Sequence, residues 1–233
     1  MKNDVFLMNN LIQEELRKYY NKTTKEIQNI LGIDLKGKNA NNRLFKNIIE
    51  NSKDYNILTT LMEKGNYEIK TVNLEWNNNL KESMSLRTFE FIDIFNESWK
   101  NSTLRNFFAS SVFIFVVSKK DFEDVYLESV KFWSMPINIL ENEVKKVWEH
   151  TKKLITTGNI VSYIDSRGRF KTNFLTSGST KVIHVRPHAR NKDDTFKLPV
   201  VDVQTGLKEF TKHSFWINSH FIKRIIVDGK HYE

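Results

Sequence analysis

The chain has 233 residues, enough for one large domain or two small ones, with 39% hydrophobic and 27% charged residues, the balance of an ordinary globular protein. It has no cysteine, which excludes disulfide frameworks, thiolate metal sites and cysteine nucleophiles and fits a cytoplasmic location. A net charge of +8 points to a polyanionic partner, nucleic acid before an acidic membrane surface.

Lys2-Asn3-Asp4 leads into an amphipathic stretch and not into the apolar core of a signal peptide. Apolar residues at Val5, Met8, Leu11, Ile12 and Leu16 predict a first helix over 3–20. Thr23-x-x-Glu26 is a capping box that opens a second helix, closed by Gly32. Residues 34–43 are polar, basic and rich in Gly and Asn, and they read as a loop. Lys36, Lys38 and Arg43 on that loop are cations that can meet phosphate. Leu44, Phe45, Ile48 and Ile49 give a third helix ending near Glu50.

Residues 58–74 read as a hairpin. Its second strand, after Gly65, alternates apolar and polar residues at period two. Glu68, Lys70 and Val72 share one face of that strand, with Tyr67, Ile69 and Thr71 on the other. A carboxylate and an ammonium therefore stand about 7 Å apart along the backbone. Such an E-x-K pair suits metal-assisted phosphodiester cleavage: the carboxylate holds Mg²⁺ against the phosphate and the lysine orients water or offsets charge. It is also a common surface pair.

Residues 89–99 read as a strand end entering a helix, 113–117 as a buried central strand, and 121–133 as a further strand. No apolar run approaches a membrane span. Pro136 opens a long amphipathic helix that stops at Gly158. A strand over 181–186 breaks at Pro187, and 188–197 reads as a charged loop. Residues 215–217 form a short strand, after which Asn218 or Ser219 caps a last helix. His184, on its strand, is expected to face solvent, whereas Trp99, Trp133 and Trp148 are expected in the core. No H-E-x-x-H zinc motif is present, and Ser83 and Ser85 lack the His–carboxylate partners of a nucleophile. No RNP-type aromatic motif or GXXG loop supports an RNA-binding reading.

Four patterns follow one another: Glu68-Ile69-Lys70-Thr71-Val72; Lys81-Glu82-Ser83-Met84-Ser85 with Phe89-x-Phe91 and Glu97-x-Trp99-x-x-Ser102; His184-Val185-Arg186-Pro187-His188-Ala189 with Asp194-Thr195 and Leu198-Pro199; and Lys212-x-x-Phe215-Trp216-Ile217-Asn218. Their succession over about 42–226 resembles the MutH and Sau-type GATC endonuclease family, and most the C-terminal half of the Sau-type enzyme. The resemblance implies an α/β restriction-endonuclease-like fold, a mixed sheet flanked by helices with two lobes around a DNA cleft. It implies a single MutH-like domain over 1–233, one half of a longer enzyme, with Mg²⁺ as the family's cofactor and GATC duplex DNA as partner. Glu68 and Lys70 fall on the family's catalytic E-x-K, with Glu68 the metal ligand, and Glu50 on an accessory carboxylate. Arg186, Pro187 and His188 fall on the base-reading loop and Trp216 on the aromatic that follows it.

One departure stands out. The family carries an Asp several residues before the E-x-K Glu, and this chain has Leu61 there. The resemblance therefore implies DNA binding without cleavage, the cut being made by a catalytic N-terminal half. The alternative is a self-sufficient Mg²⁺ endonuclease using Glu68 and Lys70, with Glu63 or Asp54 as second carboxylate.

Overall fold

Two units divide the chain. The first comprises residues 1–81, 110–135 and 223–231, the second residues 82–109, 136–222 and 232–233. The computed structural model describes residues 2–37 and 39–228.

The first unit packs helices on one face of a three-stranded sheet. α1 (Lys2–Arg17) buries Met8, Ile12 and Leu16 completely, one stripe at helical spacing. α2 (Thr24–Leu31) starts at the expected capping box: Thr23 Oγ1 accepts from Glu26 N (3.0 Å) and Glu26 accepts from Thr23 N (2.7 Å). It ends at Gly32, whose φ of 67° is the left-handed conformation that favours glycine. α3 (Ala40–Glu50) begins earlier than its apolar stripe suggested. Ala40 N donates to Gly37 O and Arg43 N to Asn39 O, so the loop expected over 34–43 closes at Asn39 and Arg43 is helical.

The expected hairpin over 58–74 is not formed. Tyr55–Lys64 is a helix, α4, followed directly by strand β1 (Asn66–Leu74). Leu58, Leu61 and Met62 stand at helical spacing, and the first two are buried in a cluster with Met8, Ile12, Leu44, Ile48 and Ile114. An apolar stripe that a strand would split between two faces is kept on one side by the helix.

The sheet order is β1–β3–β4, with β3 (Ser111–Asp121) parallel to β1 and antiparallel to β4 (Asp124–Trp133). β3 is the buried central strand the sequence predicted. Ile114, Val116, Tyr67 and Ile69 face the helical cluster. Phe113, Phe115 and Trp133 share the opposite face, with Phe113 5.7 Å from Phe115 and 5.5 Å from Trp133.

The second unit holds a sheet of order β2–β10–β7, in which β10 (His213–Ile217) pairs antiparallel with β2 (Met84–Phe89) and β7 (Ile183–Pro187). Phe89, Val185, Phe215 and Ile217 form its apolar face. α5 (Phe91–Asn96) follows β2, and α6 is Thr103–Ser110. α7 (Ile137–Ile139) runs through a π turn (Leu140–Val144) into α8 (Lys145–Thr157), which contacts α5 and β7. Lys152 of α8 donates to the carbonyls of Ile94 (3.0 Å), Phe95 (2.6 Å) and Glu97 (2.6 Å), capping α5. α8 ends at Gly158 (φ 65°), where a Cβ would lie 2.4 Å from the Val201 carbonyl. Short hairpins β5 (Val161–Ile164) with β6 (Phe170–Thr172), and β8 (Thr195–Lys197) with β9 (Glu209–Thr211), complete the strands. The charged loop expected over 188–197 therefore ends in a strand, because Phe196 pairs with buried Phe210. α9 (Ser219–Ile226) is the last helix. Its Ser219 N donates to Ser83 Oγ (3.2 Å), which makes Ser83 a capping group.

Because Leu61 is 6% exposed in a helix and not on a solvent-facing hairpin, Leu61→Ala is expected to cost about 2–5 kcal/mol of stability. Urea denaturation checks this. A loss below about 1 kcal/mol would place Leu61 outside the core.

Candidate functional site

β1 is an edge strand, and its pleat decides where the E-x-K pair stands. Tyr67 and Ile69 turn toward the helices, so Glu68 and Lys70 lie on the other face, in register with Phe113 and Phe115 of β3. Lys70 Nζ sits 3.2 Å from Glu68 Oε2, and both side chains are about a quarter exposed. Glu50 closes α3 and pairs with Lys46 at 3.5 Å. Glu63 is exposed on α4. Asp54 precedes α4 without a side-chain cap bond, its backbone N–H donating to Ser52 Oγ (3.2 Å). Seven positions before Glu68 the chain offers Leu61, buried among apolar side chains.

Mg²⁺ asks for near-octahedral oxygen ligands and gives up water reluctantly. Among the described residues no three His, Cys, Asp or Glu side chains converge to hold an ion. Glu68 has an ammonium, not a second carboxylate, as its ionic partner. The donor set on this strand does not fit a Mg²⁺ site.

The polar face of the second unit's sheet is built from alternate residues of β7 and β10. His184 pairs with Trp216 and Arg186 with Ser214. The Arg186 guanidinium lies over the Trp216 ring, 4.4 Å from its centroid. His188 stands 5.3 Å from the same ring, and its Nδ1 is 2.9 Å from Ser214 Oγ. Pro187 ends β7, after which His188 N donates to Lys212 O (2.8 Å). In the following loop Asp194 accepts from Lys212 Nζ (2.5 Å) and Arg190 N (3.0 Å), and these bonds hold its carboxyl below the usual range. The arrangement presents a planar cation on an aromatic platform beside an imidazole, which suits the edges of bases or phosphate oxygens.

His184 does not face solvent as expected: it is buried, with Nδ1 bonded to Asn218 Oδ1. Asn218 Nδ2 donates to Thr180 O (3.0 Å) and Oγ1 (3.1 Å), which fixes the amide orientation. His184 Nδ1 therefore carries the proton. Burial holds its pKa below the ordinary value. On the first unit, exposed Lys36 pairs with Asp34 at 2.8 Å, and Arg43 donates to the Lys36 carbonyl. Lys38 lies outside the described residues.

Residues 50–147 match the family model described as DNA mismatch repair enzyme MutH. The chain is also 31% identical to the type II restriction enzyme Sau3AI of Staphylococcus aureus, a match covering 84% of this chain and 43% of that enzyme. This chain resembles the MutH and Sau-type endonucleases. Its fold is restriction-endonuclease-like, mixed α/β as expected, and the family is one of restriction-type DNA-binding nucleases. Such nucleases generally use Mg²⁺, which sharpens the contrast with the donor set on β1. The MutH-matched segment contains Glu50, Glu63, Glu68 and Lys70 and stops before Arg186. The chain spans less than half the length of the Staphylococcus enzyme. Among the described residues no helix is long and apolar enough to cross a membrane.

Sequence reading missed His213, the first residue of β10, which points into the apolar side of the second unit's sheet. It is 1% exposed and surrounded by Phe210 (stacked, 5.4 Å), Phe174 (5.1 Å) and Phe91 (6.3 Å). Nδ1 bonds the Thr211 carbonyl (2.7 Å), while Nε2 is buried without a partner among the described residues. Burial pushes its pKa down to about 4. With the folded value below the unfolded one, the unfolded chain takes up a proton first. The neutral ring's contribution is whole above about pH 6.5 and drains away as pH falls toward 4. Between pH 7 and 5 this amounts to about 2 kcal/mol. The expected outcome is that His213→Phe loses less stability over that interval than the parent chain in urea melts. Equal losses would show that His213 does not titrate in this way.

Proposed function

We propose that this chain is a sequence-specific duplex-DNA-binding domain that reads GATC and acts as the non-cleaving C-terminal half of a type II restriction endonuclease. Both units serve one MutH-like domain, and the catalytic half is the partner. The observation that carries the non-cleaving role is Leu61: where the family places an Asp, this chain has an apolar residue buried in α4. GATC as target rests on the family resemblance.

In this reading Arg186 donates two hydrogen bonds to guanine O6 and N7, the commonest specific contact to that base. Trp216 supports the guanidinium plane from behind, so fewer rotamers are lost on binding. Ser214 fixes the His188 ring for a neighbouring base edge or phosphate. Lys36, Lys38 and Arg43 supply phosphate contacts that set register without reading sequence.

A second reading, a self-sufficient Mg²⁺ endonuclease, is favoured by one observation: Glu68 and Lys70 stand together, partly exposed, on the edge strand. It requires a second carboxylate, Glu63 or Asp54, to reach Glu68, with Glu50 as accessory group.

The purified chain is expected to retard GATC duplexes in a gel and to leave supercoiled plasmid intact with Mg²⁺. GATC-specific nicking that vanishes in Glu68→Ala would overturn the non-cleaving role. Arg186→Ala is expected to cost about 1–3 kcal/mol on GATC duplexes and much less on scrambled ones, measured by fluorescence anisotropy. Equal losses on both would make Arg186 a phosphate contact.

A further inference from the structure

The second unit also carries a hairpin that none of the proposed recognition residues uses. β5 and β6 pair with Tyr163 opposite Lys171 and Ile164 opposite Phe170. Asp165 builds the turn. Its Oδ1 accepts from Arg167 N (2.9 Å) and Arg169 N (3.0 Å), its backbone pairs with Arg169, and Gly168 N returns to its carbonyl (2.9 Å). Gly168 adopts φ 73°, the left-handed conformation this tight return needs. Arg169 Nε reaches Asp165 Oδ2 at 2.9 Å. These bonds hold the Asp165 carboxyl down at about 2, so the turn keeps its anion at any ordinary pH.

The hairpin's one acid is thus taken up inside the turn, where Arg169 pairs with it at 2.9 Å and Lys171 Nζ stands 3.7 Å from Oδ2, so three cations, Arg167, Arg169 and Lys171, share a single carboxylate. Arg167 contributes its backbone N–H to the turn, and its guanidinium has no acidic partner among the described residues. Tyr163 is 55% exposed on the same face as Lys171. The turn end of the hairpin is held against the unit: Phe170, the first residue after the turn, lies 5.9 Å from Phe210, whose ring stacks on His213 of the central strand. A ribbon with an exposed guanidinium at Arg167, a partly exposed ammonium at Lys171 and a phenol hydroxyl complements a polyanionic backbone, and two-stranded ribbons fit the width of a DNA groove.

We propose that the β5–β6 hairpin is a sequence-independent grip on the phosphate backbone of duplex DNA, with Arg167 and Lys171 as the cations and the Tyr163 hydroxyl as a donor to the same backbone. The proposal rests on the DNA-binding reading above. Arg169 holds the turn and is not part of the grip.

The test uses the full chain with Arg167→Ala/Lys171→Ala and, separately, Tyr163→Ala, neither of which removes a backbone bond of the turn. Binding is measured by anisotropy from 50 to 200 mM salt on duplexes with and without GATC, beside thermal melts. The expected result is weaker binding of the double variant to both duplexes alike, with an unchanged melting temperature. Its log–log salt slope should be shallower by about 2, since each neutralised phosphate contributes about 0.9. Unchanged slope and affinity, with the parent chain still binding DNA, would overturn the grip and leave the DNA-binding reading standing. Loss confined to the GATC duplex would also overturn it, by making the hairpin a base reader. So would loss of binding to phosphatidylserine vesicles with DNA affinity intact, which would assign the cations to a membrane surface. A parent chain that binds neither duplex would bring down the DNA-binding reading and the grip together.

Discussion

The apolar stripe of α4 is the constraint on which the first unit depends. Leu58 and Leu61 must leave water together, and a helix places them on one side against α1 and α3. That choice gives to an apolar side chain the position where, on the proposed reading, an active relative has an acid. β1 then leaves α4 with its pleat already set: Tyr67 and Ile69 continue the same apolar cluster, and Glu68 and Lys70 are turned away from it. A one-residue slip would bury both charges among aliphatic side chains, at a cost of several kcal/mol per ion. The orientation of the pair is therefore a by-product of core packing.

The second unit obeys the same alternation with a different result. β10 places Phe215 and Ile217 on one side and Ser214 and Trp216 on the other, where Ser214 is itself buried and Trp216 partly exposed. Both its neighbours are antiparallel, so Trp216 lies between His184 and Ser85 and Ser214 between Arg186 and Thr88, with a register shift on the β2 side. Trp216 is the platform because Arg186 and His188 both rest against its ring. Beneath the sheet, His213 fills a space between phenylalanine rings that an apolar residue would fill without a proton to exclude. The Asn218 amide, pinned by Thr180, does for His184 what packing alone cannot: it selects one tautomer.

Much of this was legible in the sequence. The capping box at Thr23, the glycine stops at Gly32 and Gly158, the central strand and the E-x-K strand are local signals, and each rests on residues within a few positions of one another. α4 was misread because a ten-residue segment holds few apolar residues, and the clear alternation after Gly65 invited a strand before it. The burial of His184 depends on a residue 34 positions away, and the rings around His213 come from β6-proximal, β9 and α5 segments. No periodicity encodes such contacts. The turn at Asp165 carries the local pattern Asp-x-x-Gly, which the sequence reading passed over, and the occupation of its carboxylate by backbone N–H groups and Arg169 shows only in the fold.

On the proposed reading, binding and cleavage separate for an electrostatic reason. Metal affinity depends steeply on the number of converging carboxylates, whereas strand pairing depends on the pleat and the backbone ladder. Exchanging an acid for Leu61 removes the first without disturbing the second. What remains at Glu68 is a carboxylate that would repel phosphate if it stood alone, and Lys70 at 3.2 Å offsets that charge. The pair presents little net field to a DNA backbone, so the strand can stay beside a polyanion without a metal ion. The residues proposed to read sequence lie on another sheet, in another unit. A domain of this construction can lose its cutting centre and keep its grip, because the two were never built from the same strands.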